Sequence, residues 1–537
     1  MVMKRLLLGD EAIALAALHA GLSGVYAYPG TPSTEITEFI QLQQARRREG
    51  EPTVHCRWAS NEKTAMESAL GMSYMGKRAM VCMKHVGMNV AADAFVNSAM
   101  TGANGGLVVV AADDPSMHSS QNEQDSRFYG KFALIPTFEP SSQQEAYDMT
   151  RYAFDFSEQF QIPVLIRITT RMAHSRAVVE TGEQRAQNEC STPQRPRQWI
   201  LLPANSRIRY NTLLEEQTLF EDEAARSGFN SLTDGEDKRR AIVACGIAYN
   251  YLMENYPEGC PNPVVKISQY PLPKTLIQKL VDEGVEQIIV MEEGQPVVEE
   301  QLRALIPSTI EVAGRLTGLL PRAGELNPDC VRKALGLEAL ATYDAEPLVA
   351  PRPPALCQGC GHRDMYNALN EVAREYPSPR VFADIGCYTL GAMPPFRAID
   401  TCVEMGASIT MAKGAAEAGQ HPSFAVIGDS TFTHSGITGL LDCVNAKANV
   451  VIVISDNLTT GMTGGQDSAG TGRIEAICEG IGVEKEHIRT VVPLPKNMEE
   501  IKQILREEIA YEGVSVVIPR RECIQTLKRH AKQQKKK

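Results

Sequence analysis

The 537-residue sequence predicts an α/β protein built from several open, parallel-sheet domains. Three observations carry that reading. Apolar runs of strand length alternate with longer helical patterns. The runs are apolar on both faces, as strands covered by helices on each side must be. The composition is globular, with 43% hydrophobic and 22% charged residues, which excludes disordered, collagen-like and coiled-coil chains. At the usual ~100–200 residues per domain the length corresponds to about three domains.

Along the chain, strands are predicted at 24–28 (GVYAY), 79–83 (AMVCM), 107–112 (LVVVAA), 163–168 (PVLIRI), 241–245 (AIVAC), 287–291 (QIIVM), 424–428 (FAVIG), 449–454 (NVVIVI) and 514–518 (VSVVI). The N-terminus, MVMKRLLLGDEAIALAALHAG, has the basic start and leucines of a signal peptide. Asp10 and Glu11 interrupt its apolar stretch, so it reads as a short lead and a first helix. Residues 181–237 are rich in Gln, Arg, Glu and Asp and lack a strand rhythm. Residues 340–355 (LATYDAEPLVAPRPPA) carry four prolines. Such segments are natural linkers. The chain thus divides into domains at 1–190, 238–340 and 350–537, with a linker at 191–237.

Charge narrows the function classes. Lys and Arg total 54 against 65 Asp and Glu, a net charge of −11. Nucleic-acid binding needs a basic stripe to neutralise phosphates, so it is not expected. The basic tail KRHAKQQKKK reads as a solvated helix end. No apolar run approaches the ~18–20 residues that span a bilayer, and the expected location is the cytoplasm. The 13 cysteines are odd in number and scattered, unlike a disulfide framework. Cys82, Cys245 and Cys443 sit in apolar company and read as core filler.

The most informative stretch is FAVIGDSTFTHSGITGLLDCVNAKANVVIVISDN at 424–457, followed by LTTGMTGGQ. A strand ends at Gly428-Asp429, a small-residue loop precedes a helix from about Ser435, and a second strand ends at Asp456-Asn457. Ligands of open α/β sheets bind at strand carboxyl ends. Asp429 and Asn457 are hard oxygen donors of the kind Mg²⁺ takes together with substrate phosphates. Ser430, Thr431 and the helix start offer N–H groups to a phosphate. Taken singly, GD and DN are ordinary strand ends and turns. Taken jointly, the pattern resembles the thiamine diphosphate motif of thiamine enzymes. That resemblance implies Mg²⁺ held by Asp429, Asn457 and the Thr459 carbonyl, with Gly428, Ser430 and Thr431 at the diphosphate. MGASITMAKGAAEAG (405–419) is similar to the small-residue helix that approaches the cofactor.

Two N-terminal segments extend the resemblance. WASNEKTAMESALGMSYMG (58–76) contains Glu62, followed by Ala65, Ala69 and Gly71. An acidic residue in a first helical turn is favoured by the dipole alone, and Glu67 lies on the same helix. The spacing is similar to the activating-glutamate segment of thiamine enzymes, and selects Glu62 as the carboxylate beside the aminopyrimidine ring. AYPGTPSTEI (27–36) is a capped turn by its own residues, with Thr31, Ser33 and Thr34 as candidate caps. It also resembles the substrate segment of the 2-oxoacid:ferredoxin oxidoreductases, and that carries to Thr31.

With MKHVGMNVAADAF (83–95), AADDPSMHSSQNEQDSRFYG (111–130) and VMEEG ending at Gly294, the resemblance spans the chain. It points to the large-subunit family of the indolepyruvate-type 2-oxoacid:ferredoxin oxidoreductases. It implies a thiamine diphosphate-binding fold, the N-terminal domain holding the pyrimidine end and the C-terminal domain the diphosphate and Mg²⁺. The implied reaction is oxidative decarboxylation of an aryl 2-oxoacid to its acyl-coenzyme A. The implied partners are a smaller β subunit and a ferredoxin acceptor, in an assembly such as α₂β₂. A non-redox thiamine-dependent decarboxylase or carboligase is the alternative. It is favoured by one departure from the family, since the two CxxCxxCxxxCP runs of a ferredoxin-like module are missing.

Four other cysteines remain. Cys357 and Cys360 form a CxxC after the proline-rich segment, Cys387 lies in ADIGCYTLG and Cys523 in PRRECIQ. By themselves these could be a zinc site, a redox pair or unrelated thiols. Their order resembles the cysteines that hold a single [4Fe-4S] cluster in related oxidoreductases. His434, five residues after Asp429, could handle a proton during decarboxylation or serve as a hydrogen-bonded structural residue. His85 and His118 fall in the same family strings, and His362 is adjacent to Cys360.

Overall fold

The computed structural model describes residues 3–192, 196–341, 346, 348–350 and 352–534. Of the proline-rich segment, residues 342–345, 347 and 351 lie outside this set, as do the last three lysines. Two compact units result, Met1–Tyr343 and Asp344–Lys537.

All nine predicted strands form, each within a residue or two of its expected ends. The first unit holds a seven-stranded sheet in the order Gln269–Tyr270, Thr137–Phe138, Val164–Thr169, Leu107–Asp113, Ala79–Lys84, Gly24–Ala27, His55–Trp58. Every pairing in it is parallel except that of Gln269–Tyr270 with Thr137–Phe138. A second sheet orders Glu311–Ala313, Gln287–Met291, Arg240–Cys245, Val264–Ile267 and Ser231–Thr233. Its last pairing is antiparallel. The lead Met3–Leu8 is a strand paired antiparallel with Arg176–Thr181. The segment expected as a linker carries a 24-residue helix, Pro203–Arg226. It has few apolar residues, but Leu213, Phe220 and Ala224 on it are buried. That sparse stripe is why composition alone read the segment as irregular.

Gln269–Tyr270 follows a strand of the second sheet yet pairs into the first. Buried charge reinforces this junction. Arg167 and Arg127 are both fully enclosed. Arg167 Nε donates to Asp113 Oδ2 at 2.7 Å. Arg127 Nη1 donates to Glu292 Oε2 at 2.9 Å. Both guanidiniums also donate to the Glu293 carbonyl at 3.0 Å. Tyr270 donates to Glu139 Oε2 at 2.7 Å, and Glu139 in turn pairs with Arg167. The string DSRFYG of the first sheet region and MEEG of the second are thus two halves of one network. Removing one partner from such a set strands a buried charge, at a cost of about 3–5 kcal/mol.

The second unit is a five-stranded parallel sheet in the order Arg380–Ala383, Ser423–Gly428, Val450–Ser455, Val514–Pro519, Ile488–Val491. Side chains alternate between its faces. Phe424 and Val426 join a core under helices Gly361–Ala373 and Met498–Ala510. Ala425 and Ile427 join the opposite core, with Ala407–Glu417, Ile437–Ala446 and Ile474–Ile481. Cys443 is buried in that second core, and Cys82 and Cys245 are buried in the first unit.

Glu293 gives this fold a pH signature. Burial pushes its carboxyl up to about 7, although Leu326 N–H, Arg315 and Arg167 oppose the shift. The folded chain therefore holds a proton that the unfolded chain has released. The associated stability is complete below the ordinary carboxylate value of ~4.3 and is lost as pH rises through about 7. Comparing urea midpoints across this range, wild type should lose stability relative to Glu293→Gln as pH rises. Parallel curves for the two proteins would contradict the assignment.

Candidate active site

In the second unit, Ser423–Gly428 runs between Arg380–Ala383 and Val450–Ser455, with Gly428 opposite Ser455. The residues just past these three strand ends are Asp384, Asp429 and Asp456-Asn457. Parallel pairing therefore gathers three carboxyls and an amide at one edge of the sheet, where open α/β sheets bind ligands.

Asp429 is 1% exposed. Burial pushes its carboxyl up to about 7, and nearby Asp456 adds to the shift. The Ser468 hydroxyl and the N–H groups of Ser430 and Asn457 act in the opposite direction. Its Oδ2 is buried and accepts no hydrogen bond from a described residue. A carboxylate oxygen so placed is costly unless a proton or a cation meets it. Asn457 Oδ1 accepts the Thr459 N–H at 3.2 Å, and Leu458 between them is left-handed at φ 59°. That turn carries Thr459 into a short antiparallel pair with Gln466–Asp467.

The loop expected after Asp429 is absent. Asp429–Thr431 is already helical, Phe432–Gly436 forms a π turn, and Ile437–Ala446 continues as a regular helix. Ser and Thr favour caps and turns, which is why the sequence read as a loop. Here the Thr433 hydroxyl donates back to the Ser430 carbonyl at 3.0 Å. Gly436 lets the turn approach the sheet, since a Cβ there would lie 2.9 Å from Ile427 Cδ1. Ser430 and Thr431 consequently occupy a first helical turn, whose N–H groups have no intrahelical acceptor. Their hydroxyls are engaged sideways, Ser430 with Thr460 at 2.9 Å and Thr431 to the Ile385 carbonyl at 3.0 Å. Gly428 keeps the entry narrow, because a Cβ there would lie 2.8 Å from Tyr388 Cε1. His434 is 4% exposed, with Nδ1 2.6 Å from Ser435 Oγ.

Asp384 was not found from sequence. Its strand, Arg380–Ala383, is too short and too polar at its start to read as one. Asp384 Oδ2 accepts from Ser408 Oγ at 2.6 Å and from the Gly406 and Ser408 N–H groups at 3.2 Å. Tyr388 donates to its other oxygen. Burial pushes this carboxyl up to about 6. Asp384 thus ties the start of the small-residue helix 407–417 to the edge that carries Asp429.

Cys357, Cys360, Cys387 and Cys523 all line one cleft, partly open to solvent. Asp456 and Asn457 line it too. Burial pushes the Cys387 thiol up to about 12, with the other three cysteines adding to the shift. The CxxC turn and the segments after two strand ends meet here, although 163 residues separate Cys360 from Cys523. His362 is buried beside Cys360, with Nδ1 3.3 Å from its sulfur.

In the first unit Glu62 opens the helix Glu62–Tyr74, capped by Asn61, whose side chain accepts the Thr64 N–H at 2.9 Å. Glu62 is 5% exposed. Glu67, the competitor on that helix, is exposed and paired with Lys63. Gly87 explains how a glutamate fits there: a Cβ at that position would lie 2.6 Å from Glu62 Cγ. Thr31 sits in the turn between the strand Gly24–Ala27 and the helix Thr34–Ala45. The expected Ser33 cap does not form. Ser33 Oγ instead donates to the Gly30 carbonyl at 2.8 Å, and the Gly30 N–H donates to Thr34 Oγ1 at 3.0 Å. Of the family-string histidines, His85 is fully buried, and His118 is exposed 3.6 Å from Glu325.

The residues present suit the implied groups. Asp429 Oδ2 lacks a donor beside a helix start, Glu62 is enclosed against a glycine, and four thiols share one cleft. Among the described residues no helix is long and apolar enough to cross a membrane. Comparison with known proteins identifies the family. Residues 15–227 match the family described as pyruvate flavodoxin/ferredoxin oxidoreductase, thiamine diphosphate-binding. Residues 384–518 match the C-terminal binding domain of thiamine pyrophosphate enzymes. The chain is 41% identical to indolepyruvate oxidoreductase subunit IorA of Archaeoglobus fulgidus, over 97% of this chain and 86% of that one. It is 38% identical to the subunit of the same name from Pyrococcus abyssi, over 96% and 85%. A further similarity, 30% over 31% of this chain and 45% of the relative, is to 2-oxoglutarate synthase subunit KorA of Methanothermobacter thermautotrophicus. With that identity sustained over nearly its whole length, the chain belongs to the indolepyruvate oxidoreductase IorA family, thiamine diphosphate-dependent enzymes of the 2-oxoacid:ferredoxin oxidoreductase superfamily.

Proposed function

We propose that this chain is the large catalytic subunit of an indolepyruvate-type 2-oxoacid:ferredoxin oxidoreductase. It would convert an aryl 2-oxoacid and coenzyme A to the acyl-coenzyme A and CO₂, passing two electrons to ferredoxin. The observation that carries this reading is the buried, donorless Asp429 Oδ2 at the start of a helix, beside Asn457. Thiamine diphosphate, when bound, supplies the nucleophilic carbon and the electron sink that decarboxylation of a 2-oxoacid requires. Asp429, Asn457 and the Thr459 carbonyl would hold its Mg²⁺, and the helix start at Gly428, Ser430 and Thr431 would receive the diphosphate. Glu62, enclosed and held against Gly87, would exchange a proton with the aminopyrimidine ring. Thr31 would face the substrate, and His434 would hold or deliver a proton near the diphosphate end.

Cys357, Cys360, Cys387 and Cys523 would ligate one [4Fe-4S] cluster. The support for this is that all four line one cleft of the second unit, beside Asp456 and Asn457. The relatives' names support a redox enzyme rather than a non-redox decarboxylase or carboligase. The word subunit in those names also supports a partner chain, proposed here to be a smaller β subunit completing an α₂β₂ assembly.

Three experiments test this reading. Asp429→Ala should weaken binding of Mg²⁺–thiamine diphosphate in calorimetric titration by more than the roughly 10–100-fold that losing a supporting hydrogen bond costs a metal site. Unchanged affinity would remove the site. Gly87→Ala should push the Glu62 carboxyl aside and lower turnover with a dye acceptor by about 100-fold, with cofactor affinity retained. Normal turnover would free Glu62 of its role. Anaerobic protein should contain about four iron and four sulfide per chain. Cys387→Ser should disturb the visible absorption and Cys443→Ser should not. Zinc in place of iron would sink the cluster and reopen the non-redox reading.

A further inference from the structure

We propose that Asp10, Glu35 and His174 form a divalent-cation site of the first unit, separate from the residues assigned above. Each contributes one ligand atom, and the three atoms lie within 4.8 Å of one another. Asp10 belongs to the first turn of the helix Gly9–His19, Glu35 to the first turn of Thr34–Ala45, and His174 ends the short helix Thr170–His174. Three elements distant in sequence therefore converge at one point.

The second observation is the state of Asp10. It is 0% exposed, and neither of its carboxylate oxygens accepts a hydrogen bond from a described residue. Glu35 Oε2 is likewise buried and donorless. Glu35 Oε1 lies 3.5 Å from His174 Nε2. Two carboxylates this close repel, and enclosing one of them without a donor is costly. Each helix start offers a partial positive charge, which suits one carboxylate apiece. It does not relieve the repulsion between the two. A cation bridging both does, and the imidazole at the exposed rim supplies a third ligand and a route from solvent.

Two carboxylates with one imidazole suit a first-row divalent ion such as Mn²⁺ or Zn²⁺ better than Ca²⁺ or Mg²⁺, which favour oxygen alone. A proton on Asp10 is the competing way to settle the same charge, and burial together with Glu35 pushes that carboxyl well up. A cation here would clip the helix following the Thr31 turn to the first helix of the chain.

The test is an electron paramagnetic resonance titration of the full-length, Mg²⁺-equilibrated protein with Mn²⁺, a hard ion that the cysteine cleft does not favour. Wild type should bind one more Mn²⁺ per chain than Asp10→Asn. His174→Ala, a change at the exposed rim that should leave the fold intact, should weaken that ion by at least tenfold. Asp429→Ala should retain it, which separates this site from the proposed cofactor site. Mn²⁺ should raise the unfolding temperature of wild type and not that of Asp10→Asn. Equal Mn²⁺ binding by wild type, Asp10→Asn and His174→Ala overturns the proposal. So does a more stable Asp10→Asn with no such ion in wild type, which would mean Asp10 carries a proton instead.

Discussion

The parallel pairing of Ser423–Gly428 with Val450–Ser455 is the constraint on which the second unit's chemistry depends. A parallel sheet brings the carboxyl ends of its strands to one edge. Residues 28 positions apart, Asp429 and Asn457, become neighbours there without any local signal linking them. The same edge receives Asp384 from one flanking strand and the Cys523 segment from the strand on the other side of Val450–Ser455. An antiparallel partner in the centre would send one of these groups to the far side of the sheet. Because both faces are covered by helices, the edge is also poorly solvated, and the carboxyls there are pushed toward their neutral forms. That makes the edge receptive to a cation.

The first unit meets the same difficulty with buried charge in a different way. Arg127 and Arg167 are surrounded by Asp113, Asp125, Glu139 and Glu292, so most charges there are mutually satisfied. This network joins two sheets rather than preparing a ligand site. The contrast separates two uses of buried acids. Asp125 is held by arginines, and its carboxyl falls to about 2 although burial opposes this. Asp429 has a second carboxyl, Asp456, nearby and is pushed up by burial. A carboxylate with its own cation has a structural role. One without is poised for an external proton or metal, and Asp10 falls in that second class.

Much of the site was legible in sequence because short motifs fix local geometry. GDS after an apolar run and DN after another specify strand ends, and a glutamate at a capped helix start with small residues behind it specifies close packing. Such strings located Glu62, Asp429, Asn457 and the CxxC turn as candidates, and the family resemblance, not local geometry, selected them for these roles. What misled the reading was also local: Ser and Thr after Asp429 suggested a loop, whereas the back-bond of Thr433 and the close approach at Gly436 allow a helix.

The sequence by itself determined the α/β class, the nine principal strands and the family, because hydrophobic periodicity and contiguous motifs are encoded residue by residue. Only the tertiary structure decided which distant groups meet. Asp384 gained its place from a four-residue strand too weak to recognise alone. Gly87 became the neighbour of Glu62 only when two helices packed, and Cys523 reached the CxxC turn through the order of strands in a sheet. These are consequences of register and packing between segments, and no local pattern of residues carries that information.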